Sequence, residues 1–117
     1  MEDKLQQTET INQLIDCYAE LFTDRQQEML SMYYSDDYTL AEVAAAFAVS
    51  RQAVHDQVQR LVAHLEQHEA VLHLLQRNQA AETIAKEFQL ILEQVAVKLN
   101  EEETAALRCL IEKIRLL

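Results

Sequence analysis

Apolar residues Ile11, Leu14, Ile15, Tyr18, Leu21 and Phe22 recur with a helical period and predict a first helix from about Glu9 to Phe22. Thr23-Asp24-Arg25-Gln26 follows as a capping box: the threonine hydroxyl can accept from the amide three residues on, and the Gln26 side chain can reach back. The second helix then carries Met29, Leu30 and Tyr33 inward and ends near Ser35-Asp36-Asp37. Thr39-Leu40-Ala41-Glu42 repeats the box, with Tyr38 and Val43 placed as a hydrophobic staple, and opens a short third helix over about Leu40 to Phe47. Ser50 offers another N-cap, and a fourth helix is expected from Arg51 to about Gln76.

On that fourth helix, at about 100° per residue, Val54, Val58, Leu61, Val62 and Leu65 fall in a stripe about 100° wide. Gln52, His55, Asp56, Gln59, Arg60 and Ala63 lie opposite, on a face that is polar but weakly charged. After Arg77-Asn78 a fifth stripe runs through Ala81, Ile84, Phe88, Ile91, Leu92, Val95 and Leu99. Asn100 caps a last helix whose apolar side is Leu107, Leu110, Ile111, Ile114 and Leu117; its acidic start and basic end suit the helix dipole. The expected architecture is all-α: a helix-turn-helix bundle over residues 1–76, then long C-terminal helices over 77–117 that cover the bundle or join two copies. Whether the fourth and fifth helices are one rod or two stays open.

Composition sharpens this picture. The chain of 117 residues has no Gly and no Pro, where average usage of about 7% and 5% predicts several of each. Walker A loops, dinucleotide-binding glycine fingerprints and nucleophile elbows are excluded, because each needs glycine for its backbone geometry. Hairpin-rich sheets are disfavoured for the same reason. The net charge is −10, the wrong sign for tight, non-specific binding to phosphates. Residues 1–38 hold −7 of it, residues 39–78 only −1 and residues 79–117 −2. The middle third is thus the one stretch where nucleic acid is not strongly repelled.

Cys17 and Cys109 form no framework or CxxC pair and read as half-buried helix residues in a reducing cytosol. The longest apolar run, Val43 to Val49, is far too short to span a bilayer, which takes ~20 residues. A cytoplasmic protein without membrane contact is expected. His64 and His68 stand four apart, but His73 falls off their face and no cysteine is near in sequence, so no metal site is expected. Tyr33, Tyr34 and Tyr38 could stack on single-stranded nucleic acid but more often such residues brace a core edge. Neither a catalytic constellation nor a cofactor motif is found, and no enzyme is expected.

The informative stretch is Leu40-Ala41-Glu42-Val43-Ala44-Ala45-Ala46-Phe47-Ala48-Val49-Ser50-Arg51-Gln52-Ala53-Val54. A short helix with a small residue at its centre, a tight turn, and a capped helix with an apolar fourth position meet the needs of a helix-turn-helix. The segment Leu21 to Leu65 resembles the promoter-binding region 4 of bacterial sigma factors. Four blocks resemble the YlxM-like proteins more specifically: Phe22-Thr23-Asp24-Arg25-Gln26, Tyr33-Tyr34-Ser35-Asp36-Asp37-Tyr38, Leu40-Ala41-Glu42-Val43-Ala44 and Val49-Ser50-Arg51-Gln52-Ala53-Val54. The resemblance covers roughly residues 10–75. It implies a small bacterial DNA-binding regulator with a role in the signal recognition particle pathway, since the genes of that family usually neighbour those of the targeting GTPase and its receptor. One departure stands out: members carry Gly where this chain has Ala48. If that residue needs positive φ, Ala costs about 1 kcal/mol or somewhat more.

In a major groove, the fourth helix would set Ser50 and Arg51 against a phosphate. Gln52, His55 and Gln59 would reach base edges, and Arg60 would serve the backbone. Asp56 could accept from cytosine but repels phosphates. With so few arginines, useful binding would need a dimer, and the surplus apolar stripe of the last two helices suits pairing through the C-terminal half. An acidic adaptor for the signal recognition particle GTPase competes with DNA reading, because the charge suits a basic partner. Contact with that particle's RNA is a third option, which the same charge disfavours.

Overall fold

The computed structural model describes residues 2–117, with side chains from residue 6 onward. Six α-helices account for most of these residues, and there is no strand among them: α1 Glu2–Tyr18, α2 Asp24–Leu30, α3 Leu40–Phe47, α4 Arg51–Leu72, α5 Leu74–Val95 and α6 Glu101–Arg115. The chain divides into two compact units, Met1–His73 and Leu74–Leu117.

Every predicted cap forms. Thr23, Thr39 and Asn100 close reciprocal boxes with Gln26, Glu42 and Glu103, and the Ser50 hydroxyl accepts from the Ala53 amide at 3.1 Å. These bonds satisfy amides that the first turn of a helix otherwise leaves without partners. Helix closure is costlier. A helix that ends in a left-handed residue normally uses Gly, and this chain has none. Asp37, Ala48 and His73 take φ of 57°, 55° and 56° in its place.

In the first unit, α1, α2 and α3 each pack on α4. Val54, Val58, Leu61 and Leu65 are all buried on α4, as the stripe predicts. Met29, Val43, Ala44, Val54 and Val58 form one core cluster, with Met32, Tyr33, Tyr34, Leu40, Phe47 and Val62 around it. The far end of α4 is anchored by a polar bond: Tyr18, 1% exposed, donates its hydroxyl to Glu69 Oε1 at 2.6 Å. Asn12 ties α1 to the end of the second helical segment, donating to the Tyr34 carbonyl and accepting from Ser35 Oγ, both at 3.1 Å.

Four expectations need correction. The first helix starts earlier than Glu9 and ends at Tyr18, because the chain tightens into a 3-10 turn over Ala19–Leu21. That turn swings Leu21 outward, to 60% exposure, while Phe22 stays in the core. The second helix ends at Ser35 as expected, but its last turn widens into a π turn over Ser31–Ser35, closed by Asp36 N donating to Ser31 O at 3.0 Å. α4 stops at Leu72, not Gln76, and the left-handed His73 separates it from α5. Cys109 is exposed, whereas Cys17 is half-buried.

The second unit is an antiparallel hairpin of α5 and α6. Its buried residues are Ala85, Leu92 and Ile111, with Leu99, Leu107 and Ile114 packed against them. Arg115, late in α6, donates Nε to Glu82 and Nη2 to Gln89 of α5, both at 3.1 Å, and Nη1 to Glu112 at 2.7 Å. The hydrogen bond to Glu112 is the main cause holding its guanidinium more firmly protonated than usual. Much of the fifth stripe is not interior: Ile84, Phe88, Ile91 and Val95 remain exposed, as does Leu110 of α6. Within the hairpin each helix can pack on the other alone, so a wide stripe cannot all be covered there.

Two outcomes follow for stability. Ala48→Gly removes a left-handed penalty of about 1–2 kcal/mol, offset by about 0.4–1 kcal/mol of added unfolded-state freedom. A net gain of about 0.5–1 kcal/mol is expected in denaturant unfolding; a loss would mean the turn does not hold this conformation. The Tyr34 hydroxyl has a pKa raised above its ordinary 10.0, first by burial and then by Tyr33 and Glu66. The folded form therefore keeps the proton longer than the unfolded one. Its contribution is complete below that ordinary value and is lost as pH rises above it. Tyr34→Phe should shrink the alkaline fall in stability, measured by thermal melts across that range.

Candidate nucleic-acid interface

The corner between α3 and α4 is built from backbone bonds, one small residue and one cation. Thr39 starts α3, and eight residues later the chain must turn without glycine. Ala48 takes the left-handed conformation, with ψ of 44°. Its amide donates to Ala45 O at 3.3 Å, and the Val49 amide donates to Ala44 O at 3.0 Å. This is the Schellman pattern, which satisfies carbonyls that the end of a helix leaves open. Ala44, 6% exposed, sits in the cluster with Val54 and Val58. A methyl group at that position lets the two helices approach closely, and any larger side chain would push them apart.

Arg25 of α2 secures the same corner from outside. Its guanidinium lies 5.0 Å from the centre of the Phe47 ring, and Nη2 donates to the Phe47 carbonyl at 3.5 Å. The contact combines attraction to the ring face with a cation at the negative end of α3. Sequence reasoning placed Arg25 only inside a capping box. Nothing local announces a partner 22 positions away, although the residue stands in one of the four blocks that carry the family resemblance.

From this corner α4 runs outward with its first turns uncovered. Ser50, Arg51, Gln52, His55, Asp56, Gln59 and Arg60 are all exposed, while Val54 and Val58 on the other side are buried. All seven candidate residues thus occupy the open N-terminal half of one helix. Asp56 is not bare: Gln52 Nε2 donates to Asp56 Oδ1 at 2.9 Å, and His55 Nδ1 lies 3.6 Å from the same oxygen. Gln52 thus places a donor beside the one carboxylate that a phosphate would oppose.

The other clusters serve packing. His68 lies against the rings of Tyr18 and Phe22, at 5.8 and 5.9 Å between centroids, and His73 is the left-handed residue after α4. Among the described residues no group of three His, Cys, Asp or Glu is gathered to hold a metal ion. Tyr33 and Tyr34 meet edge to face at 4.9 Å against the core cluster, whereas Tyr38 is exposed. None of the described helices is long and apolar enough to cross a membrane.

Residues 5–107 match the profile of UPF0122, the YlxM/p13-like helix-turn-helix proteins. The UPF0122 protein of Bacillus cereus strain AH187 is 46% identical over 99 residues, covering 84% of this chain and 88% of that one. The protein of Exiguobacterium sp. AT1b is 43% identical over 90 residues, 74% of this chain and 84% of its own. That of Lactococcus lactis strain MG1363 is 42% identical over 89 residues, 73% and 80% respectively.

Replacing Arg25 tests the corner. Arg25→Ala should cost about 1 kcal/mol, the scale of a partly exposed cation–π contact plus one weak hydrogen bond. Arg25→Lys should recover only part of it, since an ammonium cannot lie flat on the ring. Unfolding midpoints unchanged in both variants would show that the core alone holds the turn.

Proposed function

The chain belongs to the UPF0122 family of YlxM/p13-like helix-turn-helix proteins, and we propose that it is a non-enzymatic regulator reading duplex DNA with the first turns of α4. One observation carries this reading. The seven polar residues of the predicted contact face all lie open at the start of a helix whose opposite side is locked into the core. Ser50 and Arg51 would meet a phosphate at the helix N-terminus, where amides and dipole favour an anion. Gln52, His55 and Gln59 would reach base edges, and Arg60 would hold the second phosphate flank. The hydrogen bond from Gln52 to Asp56 lessens the one repulsive term on this face. With two arginines per copy, a pair of copies on one duplex doubles the phosphate contacts.

A second reading is favoured by a different observation. Asp16, Glu20, Asp24 and Glu28 are exposed around α1 and α2, within a chain of net charge −10. Such a surface suits a basic protein partner, and the targeting GTPase of the signal recognition particle, in the cytoplasm, has that chemistry in its RNA-binding domain. On this reading the α4 face docks on protein, and contact with the particle's RNA is disfavoured by charge.

Salt titration separates the two. For a DNA reader, log affinity for duplex should fall steeply with log salt, and Arg51→Ala with Arg60→Ala should flatten that slope by about two for each bound copy. Absence of duplex binding at low salt, with capture of the purified GTPase unaffected by nuclease, would set the DNA reading aside in favour of the adaptor.

A further inference from the structure

The hairpin of α5 and α6 has two unlike sides. Taking Ala85 as zero at about 100° per residue, Leu92 lies near −20°, while Phe88, Val95, Ile84 and Ile91 fall between roughly −60° and −120°. On α6, with Ile111 as zero, Leu110 lies near −100°. Because the two helices are antiparallel, negative angles on both point to the same side of the hairpin. Arg115, Glu82 and Gln89 all take positive angles, and Arg115 meets the other two through an ion pair and a hydrogen bond. One side is therefore a polar network, and the other an apolar strip of Ile84, Phe88, Ile91, Val95 and Leu110, with exposures from 38% to 59%.

We propose that this strip is the contact surface of a homodimer in which α5 of one copy packs antiparallel on α5 of the other, giving a four-helix bundle. The spacing of the strip itself argues for a second copy as occupant. Ile84, Phe88, Ile91 and Val95 are separated by four, three and four residues, so the row reads the same from either end. A two-fold axis between Phe88 and Ile91 sets Ile84 opposite Val95 of the partner and Phe88 opposite Ile91 of the partner. That is the self-complementary arrangement a two-fold interface requires.

Area points the same way. At about 150–200 Å² for a large apolar side chain, the strip leaves on the order of 450 Å² of apolar surface open per copy. Two such strips, at the roughly 65% apolar share usual in homodimers, give an interface of about 1,400 Å², within the range of stable dimers. The unit spanning Leu74–Leu117 buries only Ala85, Leu92 and Ile111 fully, a small core for a helical pair. Units of this size usually gain their stability from association. The proposal deepens the pairing that the DNA reading calls on, yet it stands on unit-two residues alone.

Sedimentation equilibrium of the full chain at micromolar concentration tests it without DNA. The wild type is expected at about 27 kDa, twice the 13.5 kDa of one chain. Phe88→Glu should bring the mass down to one chain with helical circular dichroism retained. Leu90→Glu, at a position 62% exposed but on the other side of α5, should leave the dimer intact. Phe88→Glu combined with Ile91→Lys puts opposite charges across the axis and should restore the doubled mass. Arg51→Ala with Arg60→Ala should leave the mass unchanged, so failure of DNA binding and failure of pairing are read separately. A wild type at 13.5 kDa, a Phe88→Glu variant that stays dimeric, or a combined variant that stays monomeric would overturn this pairing.

Discussion

The close approach of α3 and α4 at Ala44 is the constraint on which the first unit depends. Val43 and Ala44 share a cluster with Val54 and Val58, so the turn between them must redirect the chain sharply within three residues. That geometry requires a left-handed residue, and the Ala48 amide and its successor then close the end of α3. Once the corner is fixed, the direction of α4 is fixed. Its apolar stripe faces α1, α2 and α3, and its polar face is left over for a partner. The openness of this face is thus a by-product of packing on the other.

The same corner shows how a chain without glycine ends its helices. Asp37, Ala48 and His73 each sit at φ near +55°. Asp tolerates this region through its short polar side chain, but Ala has no such help. The strain at Ala48 is held by the core beneath it and by Arg25 across Phe47. A looser corner would let the first turns of α4 wander and would blur whatever they recognise.

Electrostatics and packing pull the two units toward different roles. The first unit exposes a polar helix start with few cations in an acidic surrounding, which keeps any phosphate contact weak and salt-sensitive. The second unit is an amphipathic layer whose polar side is sealed by Arg115 and whose apolar side is uncovered. On the proposed reading, weak DNA contact by one unit and association by the other would be complementary, since two modest contacts joined together bind far better than one.

Sequence by itself determined four of the helix starts. Thr23, Thr39, Ser50 and Asn100 each bond an amide three residues away, so the signal and its partner lie in one short window. It also determined which side of α4 is buried and which is open, because period and polarity agree over the whole stripe. Only the tertiary structure decided the rest. The 3-10 turn that expels Leu21, the π turn before Asp36, and the break at His73 all arise where packing overrides local preference. Arg25 against Phe47 and Tyr18 against Glu69 join residues 22 and 51 positions apart, a distance over which no pattern is visible. On α5 the stripe showed that Ile84, Phe88, Ile91 and Val95 seek cover, but only packing showed that the hairpin covers Ala85 and Leu92 in their place. Helical propensity and capping are properties of a few neighbouring residues, whereas burial belongs to whatever surface the folded chain brings alongside.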